Sequence, residues 1–292
     1  MQGVDLSVSA GEIVALLGPN GSGKTTLMRA IAGRLTLDQG RVSVLGADPV
    51  TDGKARQALG IVPQTIALYP QLTARQNLEV LARLSGLARP ATRTAVEQSL
   101  LRTGLVERAD DRLADLSGGM QRRLNIIAGT LHEPKLLLLD EPTVGVDIHA
   151  RESVHALLRT LSETGIGMLL STHDFDQAAD VADRAAFMSQ GRLLLEGPVD
   201  ALINEYFGDA KEAIVTLADP PTPDAQQILT EFGLHAGDED RVWSGPLPDG
   251  YAQLARLESR MDRAGVQVAE MRIREPGLGG VFMQIIEQDT AA

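Results

Sequence analysis

The segment Gly18-Pro19-Asn20-Gly21-Ser22-Gly23-Lys24-Thr25 decides the fold of the first part of this chain. Its spacing, G-x-x-x-x-G-K-[ST], is typical of a loop that cradles phosphate groups. Glycines adopt backbone angles that other residues avoid, so successive N–H groups can point into one anion-binding hollow. The apolar run at residues 13–17 predicts a buried strand before the loop, and apolar residues at helical spacing after it predict a helix whose N-terminus faces the phosphates. The segment therefore indicates a nucleotide site rather than a simple glycine turn.

The side chains of this loop have separate expected roles. Lys24 is expected to reach the β and γ phosphates, and the hydroxyl of Thr25 to ligate Mg²⁺. The predicted nucleotide-binding residues of the loop are Gly18, Pro19, Asn20, Gly21, Ser22, Gly23, Lys24, Thr25 and Thr26.

A second element is a run of four leucines, residues 136–139, that ends in Asp140 and Glu141. An unbroken apolar run of this length favours a central parallel strand buried on both faces, which delivers polar residues beside the phosphate loop of a neighbouring strand. Asp140 is expected to hold Mg²⁺ through its hydration shell. Glu141 is expected to act as general base on the attacking water, a role that contributes ~10²–10⁴-fold in rate. The alternative is an acidic strand end in a turn started by Pro142.

The third element, Leu116-Ser117-Gly118-Gly119-Met120-Gln121, is called the signature segment below. Ser117 can cap a helix, and the two glycines let backbone N–H groups approach an anion at the helix start. With these three elements in this order, the chain resembles the ABC ATPases, the nucleotide-binding subunits of ATP-binding-cassette systems. The resemblance implies that Ser117, Gly118, Gly119 and Gln121 complete the ATP site of a second subunit in a head-to-tail dimer.

The same resemblance assigns roles to single residues elsewhere. It implies that Gln64 contacts Mg²⁺ and the attacking water, that His173 contacts the γ-phosphate, and that Asp147 bridges the two subunits. Residues 143–147, called the D-loop below, depart from the commoner serine-alanine-leucine-aspartate form and resemble the drug-efflux branch.

One feature of the family has no counterpart in this sequence. Family members carry an aromatic residue upstream of the phosphate loop that stacks on adenine, whereas no aromatic residue precedes Tyr69 here. Residues 4–11 are expected to form the strand just before the loop, so the family's first residues are expected to be absent. Stacking on an aromatic side chain is worth ~1–3 kcal/mol per base, so weaker ATP binding is one interpretation. A start codon assigned too late is the other.

Composition narrows the function classes. The 292 residues suit a large domain plus a smaller one, and the hydrophobic content of 43% permits a sizeable core. No apolar run approaches the ~20 residues that a membrane-spanning helix needs. The absence of cysteine excludes disulfides and thiolate metal sites and fits the cytoplasm. A net charge of -12 argues against nucleic acid as a partner.

The predicted architecture is the α/β P-loop NTPase core of an ABC ATPase at residues 1–208, with a mostly helical insert at 73–131 and a small α+β appendix at 209–292. Residues 209–292 hold 15 acidic and 7 basic residues, and therefore most of the chain's net negative charge. Residues 276–286 resemble the terminal segment of drug-efflux and polysaccharide-export ATPases, although glycines precede Val281 where the family has an acidic pair. A generic amphipathic helix is the alternative for this segment.

The resemblance implies a function for the whole chain: an ATP-binding and ATP-hydrolysing subunit that powers an exporter through closure and opening of a dimer. It also implies separate permease subunits, through which the chain attaches to the cytoplasmic face of the cell membrane. One alternative is a soluble ABC ATPase of a non-transport assembly, such as cluster assembly. An importer ATPase is the other. The D-loop sequence and the C-terminal appendix favour the exporter.

Overall fold

The computed structural model describes residues 1–237 and 240–291, without the side chains of residues 149 and 287–291. It divides into two compact units, Met1–Glu196 and Gly197–Ala292. The sequence prediction places the domain boundary after Gly208, whereas the structural division falls just before a helix, Val199–Phe207, that groups with the second unit.

The first unit is built on a mainly parallel sheet with the strand order β2-β3-β4-β1-β5-β6. Its elements in chain order are β1 (Ile13–Leu17), α1 (Lys24–Ile31), α2 (Gly53–Gln57), β2 (Leu59–Val62), α3 (Ala74–Leu84), α4 (Arg89–Thr103), α5 (Gly118–Ala128), β3 (Leu136–Asp140), α6 (Ile148–Glu163), β4 (Gly167–Thr172), α7 (Phe175–Val181), β5 (Arg184–Ser189) and β6 (Arg192–Pro198).

Strands β1, β3 and β4 form the centre of this sheet and are almost entirely buried, as expected for strands covered on both faces. Ala15 pairs with Leu170 and Leu139 pairs with the same residue, so β4 lies between β1 and β3. Because all three run parallel, their carboxyl ends meet at one edge of the sheet. The residues that follow them, Gly18, Glu141 and His173, are thereby brought close together.

The strand predicted at residues 4–11 is wrong, because the structure has no strand among residues 1–12. Both edges of β1 are already paired, with β4 and with β5, so this segment cannot pair with the strand that follows it in the chain. Its alternating Val4, Leu6 and Val8 pack against the buried core instead. The alternation therefore reflects an extended segment that covers the sheet.

The helical insert is fixed to the core by capping and by buried amides. Thr73 caps α3: its Oγ1 accepts from the Gln76 N–H at 3.1 Å, and Gln76 Oε1 accepts from the Thr73 N–H at 3.0 Å. The fully buried Asn77 accepts from the backbone N–H of Tyr69 at 2.7 Å and donates to its carbonyl at 3.0 Å. These bonds fix the segment that follows Gln64 onto α3.

The second unit is a sheet of four strands, in the order β10-β7-β9-β8, with helices on both faces. Its elements are α8 (Val199–Phe207), β7 (Lys211–Leu217), α9 (Pro223–Glu231), β8 (His235–Ala236), β9 (Val242–Leu247), α10 (Tyr251–Arg263), β10 (Val268–Arg274) and α11 (Leu278–Ala291). Apolar residues of α9 and α10, among them Leu229 and Met261, pack on one face.

The terminal helix α11 lies on α8 within the second unit. Its apolar residues Val281, Phe282 and Ile285 are at most 6% exposed. The contact that this apolar face makes is therefore internal to the unit. No described helix in the chain is long and apolar enough to cross a membrane.

Candidate functional site

The phosphate loop joins β1 to α1 in a conformation that requires glycine. Gly18, Gly21 and Gly23 have φ angles of 143°, 82° and 108°, which L residues rarely adopt. A Cβ atom at Gly18 would lie 2.1 Å from the carbonyl oxygen of Met188 in β5. Ser22 is 3% exposed, and its carbonyl accepts from the Gly191 N–H at 2.9 Å. The loop is therefore held tightly against the end of β5.

Lys24 is the first residue of α1 and is only 8% exposed. Its Nζ donates to the carbonyl oxygens of Gly18 at 2.6 Å and Pro19 at 3.1 Å. Burial lowers the pKa of Lys24, while the charges of Glu141 and Asp140 act in the opposite direction. The ammonium group is thus held at the loop and faces two carboxylates across the cleft.

Asp140 ends β3 and is held by the neighbouring strand. It pairs in register with Ser171 of β4, whose hydroxyl donates to Asp140 Oδ1 at 2.6 Å. Ser171 is fully buried and is one of the few polar residues in that strand. The sequence analysis missed this residue, although a serine and a threonine that end an apolar buried strand beside the predicted site are a usable signal.

Glu141 has a strained backbone, with φ at 48°, in the left-handed region that favours glycine. Such a residue costs on the order of 1–3 kcal/mol and is found mainly at functional sites. The Glu141 N–H donates to the carbonyl of Ser171 at 3.0 Å, which fixes the turn. In this backbone conformation Glu141 lines the cleft beside the loop.

The two oxygens of the Glu141 carboxylate have different surroundings. Oε1 lies 2.8 Å from Nδ1 of His173. Oε2 is buried, and no described protein group hydrogen-bonds to it. Buried polar atoms in native proteins nearly always have a partner, so Oε2 is suited to accept a hydrogen bond from a bound molecule.

A cleft of about 290 Å³ collects most of the residues predicted for the nucleotide site. Its lining residues are Asn20, Gly21, Gly23, Lys24, Thr25, Thr26, Gln64, Asp140, Glu141 and His173. Gly18, Pro19 and Ser22 belong to the same loop without lining the cleft. The structure therefore places the loop, the acidic strand end, Gln64 and His173 around one space.

The signature segment does not line this cleft in the described part of the chain. Ser117 caps α5, with its Oγ accepting from the Met120 N–H at 3.4 Å, and both Ser117 and Gly118 are exposed. Gln121 is turned inward, because its Nε2 donates to the carbonyls of Leu113 and Leu116 at 3.0 and 2.9 Å. Within one chain, Gln121 thus shapes the signature segment.

The signature segment packs tightly on the D-loop and on α6. A Cβ atom at Gly119 would lie 2.4 Å from the Cβ of Ala150, so only glycine fits this contact. Asp147 caps α6 by accepting from the Ala150 N–H at 2.9 Å, and it is exposed. The exposed ends of the signature segment and of the D-loop are therefore coupled through one packed contact.

Arg122 adds a second link between these segments, and the sequence analysis did not single it out. It is 5% exposed, and its Nη2 donates to the carbonyl of Val144 at 3.2 Å. Its Nε and Nη1 are buried without a hydrogen-bond partner among the described residues, and burial lowers its pKa. A usable signal was its spacing from Gly119 and Ile126, which puts an arginine on the buried face of α5.

A parallel sheet with this loop after β1 and carboxylates after β3 defines a P-loop ATPase. The sequence model described as ABC transporter matches residues 1–144. The daunorubicin resistance ATP-binding protein DrrA3 of Streptomyces coeruleorubidus is 34% identical, over 99% of this chain and 92% of the relative. The linearmycin resistance ATP-binding protein LnrL of Bacillus subtilis (strain 168) is 38% identical, over 98% and 93%.

Among solved structures, cbiO1 from Clostridium perfringens, part of the ABC transporter complex cbiONQ, matches with a TM-score of 0.63. It is 31% identical, and the match covers 67% of this chain and 80% of that one. The chain belongs to the ABC transporter family, as an ATP-binding subunit that hydrolyses ATP. The family and the fold class predicted from the sequence are confirmed.

Proposed function

We propose that two copies of this chain close head to tail around ATP, hydrolyse it, and thereby drive the permease subunits of an exporter. One observation carries this proposal: the exposed, capped helix start at Ser117 and Gly118 lies outside the cleft that holds Lys24. A helix N-terminus with free N–H groups attracts an anion. The phosphates in the cleft of a second copy would supply that anion.

The residues of the cleft have different proposed roles in hydrolysis. The loop N–H groups and Lys24 bind the phosphates. The Glu141 carboxylate takes a proton from the water that attacks the γ-phosphorus, and the bond from that phosphorus to the bridging oxygen of ADP breaks. His173 Nδ1 lies 2.8 Å from Oε1 and thereby fixes the orientation of the carboxylate. A positioned carboxylate of this kind contributes ~10²–10⁴-fold in rate.

Mg²⁺ fits the residues at this site. Thr25, Gln64 and Asp140 line the cleft and offer a hydroxyl, an amide and a carboxylate oxygen, the hard donors that this ion prefers together with substrate phosphates. The described residues hold no cluster of three histidine, cysteine or acidic side chains, so a cage made of protein alone is not part of the proposal. When bound, Mg²⁺ would neutralise charge on the β and γ phosphates.

The direction of transport is inferred from the relatives. Two of them are named as resistance ATP-binding proteins and match nearly the whole chain, including the C-terminal appendix. These names favour an exporter over an importer and over a non-transport assembly. We place the chain on the cytoplasmic face of the membrane, with residues 1–208 as the ATPase and residues 209–292 as an accessory domain.

The test uses Glu141→Gln, which keeps the shape of the side chain and removes the base. The variant should bind ATP, dimerise at lower protein concentration when ATP is present than when it is removed, and lose turnover by about 10²-fold or more. Glu163→Gln, at the exposed end of α6, is the matched control and should behave as the unchanged protein. Unchanged turnover in Glu141→Gln would show that the base is elsewhere.

A further inference from the structure

Strand β10 is an open edge of the sheet in the second unit. It pairs with β7 on one side, and no other described strand pairs with it. Ala269, Glu270 and Arg272 are exposed. A groove of about 680 Å³ runs beside this edge, between β10 and α10. An exposed edge strand presents unpaired N–H and C=O groups that can accept another strand.

The side chains of β10 alternate between the two faces of the sheet. Met271 and Ile273 pack against the core formed with α9 and α10. Glu270 and Arg272 therefore lie on the opposite face, where Arg272 Nε is 3.3 Å from Glu270 Oε1. The negative charge of Glu270 and the positive charge of Arg272 thus lie on one face of the edge strand, one residue before and one residue after Met271.

This arrangement of charges is self-complementary in one antiparallel register. Consider two identical edge strands related by a two-fold axis perpendicular to the sheet. Residues that share one face in the first copy meet residues of the same face in the second copy only if the axis passes through a residue, not between two residues. An axis at Met271 sets Glu270 opposite Arg272 of the second copy. It also sets Arg272 opposite Glu270 of the second copy. An axis at Glu270 or at Arg272 sets identical charges opposite each other.

An axis at Ile273 is disfavoured as well, because it sets Arg272 opposite Arg274 of the second copy. Arg274 is already committed within its own unit, since its Nε donates to the fully buried Glu212 at 2.8 Å. Opposite charges directly across a strand pair stabilise it and like charges destabilise it. The axis at Met271 is therefore the register that the charges select.

We propose that two copies of the chain pair through β10, antiparallel and centred on Met271, so that their two sheets become continuous. The proposal rests on the proposed dimeric function and adds a second contact to it. Unlike the ATP-dependent contact, this one needs no nucleotide. It would keep two subunits together after hydrolysis, when the ATP sites open.

The groove indicates that this contact is weak on its own. Glu258 and Asp262 of α10 line it, so two copies would bring carboxylates near each other on the helix side of the joined sheet. A single pair of edge strands also buries less area than a standard stable interface. A weak contact nevertheless suffices between two subunits that are both attached to the proposed permease subunits, because this attachment raises their effective concentration.

The first test is a charge exchange in the full-length chain without nucleotide, followed by sedimentation across a concentration series. Glu270→Arg alone and Arg272→Glu alone each place like charges opposite each other and should raise the dimer dissociation constant by about tenfold. A mixture of the two variants restores opposite charges at both positions and should associate as well as the unchanged chain. Glu258→Gln is the matched control in the same groove and should associate at least as well.

The second test uses the absence of native cysteine. Met271→Cys sits on the proposed axis, so mild oxidation should link two copies through a disulfide. Ile273→Cys on the same face is the control, because two such positions would be about 14 Å apart at ~3.4 Å per residue, beyond disulfide reach. Equal cross-linking of both variants, or of neither, would overturn the proposed register.

These outcomes are separable from those that test the ATPase. A nucleotide-free chain that stays monomeric at all concentrations would overturn the β10 contact. ATP-dependent dimers of Glu141→Gln would in that case still support the proposed function. A mixture of the charge variants that associates no better than either variant alone would also overturn the contact, and would indicate that the edge receives a different partner.

Discussion

Arg122 in α5 donates a hydrogen bond from Nη2 to the carbonyl oxygen of Val144, 3.2 Å away. The bond joins the helix that begins at the signature segment to the D-loop. Both segments expose their ends, at Ser117 and at Asp147, and both are proposed to face the second subunit. A buried arginine with two nitrogens lacking partners among the described residues is costly to keep, which favours a role beyond stability.

We therefore predict that Arg122→Met separates stability from turnover. An apolar side chain of similar size removes the buried charge, so the thermal unfolding midpoint should be unchanged or higher. Loss of the link to Val144 should lower ATP turnover by about tenfold, the equivalent of one charged hydrogen bond, with ATP binding retained. Arg123→Met is the control, since its Nε donates to Thr103, away from the D-loop. Full turnover in Arg122→Met would show that the link from Arg122 to Val144 does not contribute to ATP hydrolysis.

Ser171→Ala should weaken ATP binding only when Mg²⁺ is present. The variant removes the hydroxyl that donates to Asp140 Oδ1 at 2.6 Å, and the carboxylate loses its fixed orientation. A hydrogen bond to a charged group is worth about 1.5–3 kcal/mol, so the dissociation constant should rise by about tenfold or more. Titration calorimetry with ATP, with and without Mg²⁺, measures the difference. An equal loss in both conditions would show that Asp140 does not act through the metal.

His155 on α6 should make the stability of the chain depend on pH. Burial lowers the pKa of His155, while Asp180 acts in the opposite direction and Arg159 adds to the lowering. The unfolded chain then binds more protons than the folded one, so the free energy of unfolding rises with pH. This contribution is fully present above the ordinary value of 6.5 and is lost as the pH falls through the lowered value.

The corresponding variant is His155→Gln, which has no titrating ring. Its thermal unfolding midpoint should fall less than that of the unchanged chain between about pH 7 and about pH 5. The measurement is a melting curve at several pH values for both proteins. Parallel curves would show that burial of His155 contributes no pH dependence.

The features that could be predicted from the sequence are those that neighbouring residues in the chain specify. The glycines of the phosphate loop, the helix cap at Ser117 and the polar end of β3 are each specified by residues adjacent in sequence. The hydroxyl of Ser171 was missed because it meets Asp140 from another strand, 31 residues away in the chain. Arg122 was missed for the same reason, since its partner Val144 is 22 residues away.

Two other expectations, for residues 4–11 and for Gln121, depend on which partners the tertiary fold brings near these residues. The alternation at residues 4–11 suits a strand, but both edges of β1 are occupied, and the segment packs its apolar side chains on the core without forming a strand. Gln121 is expected from the resemblance to complete the ATP site of a second subunit, which stays a prediction; within its own chain its amide donates to two carbonyls. Neither outcome is encoded in the local pattern, because each depends on which partners the fold brings near.

The central claim is that each ATP site takes Lys24 from one copy and Ser117 from the other. It is tested most directly by measuring ATP turnover in a mixture of Lys24→Ala and Ser117→Arg subunits. Each variant alone has both sites damaged and should be inactive. A mixed dimer contains one site built from an intact Lys24 and an intact Ser117, so the mixture should regain part of the unchanged turnover. A mixture no more active than the sum of its two components would contradict the composite site.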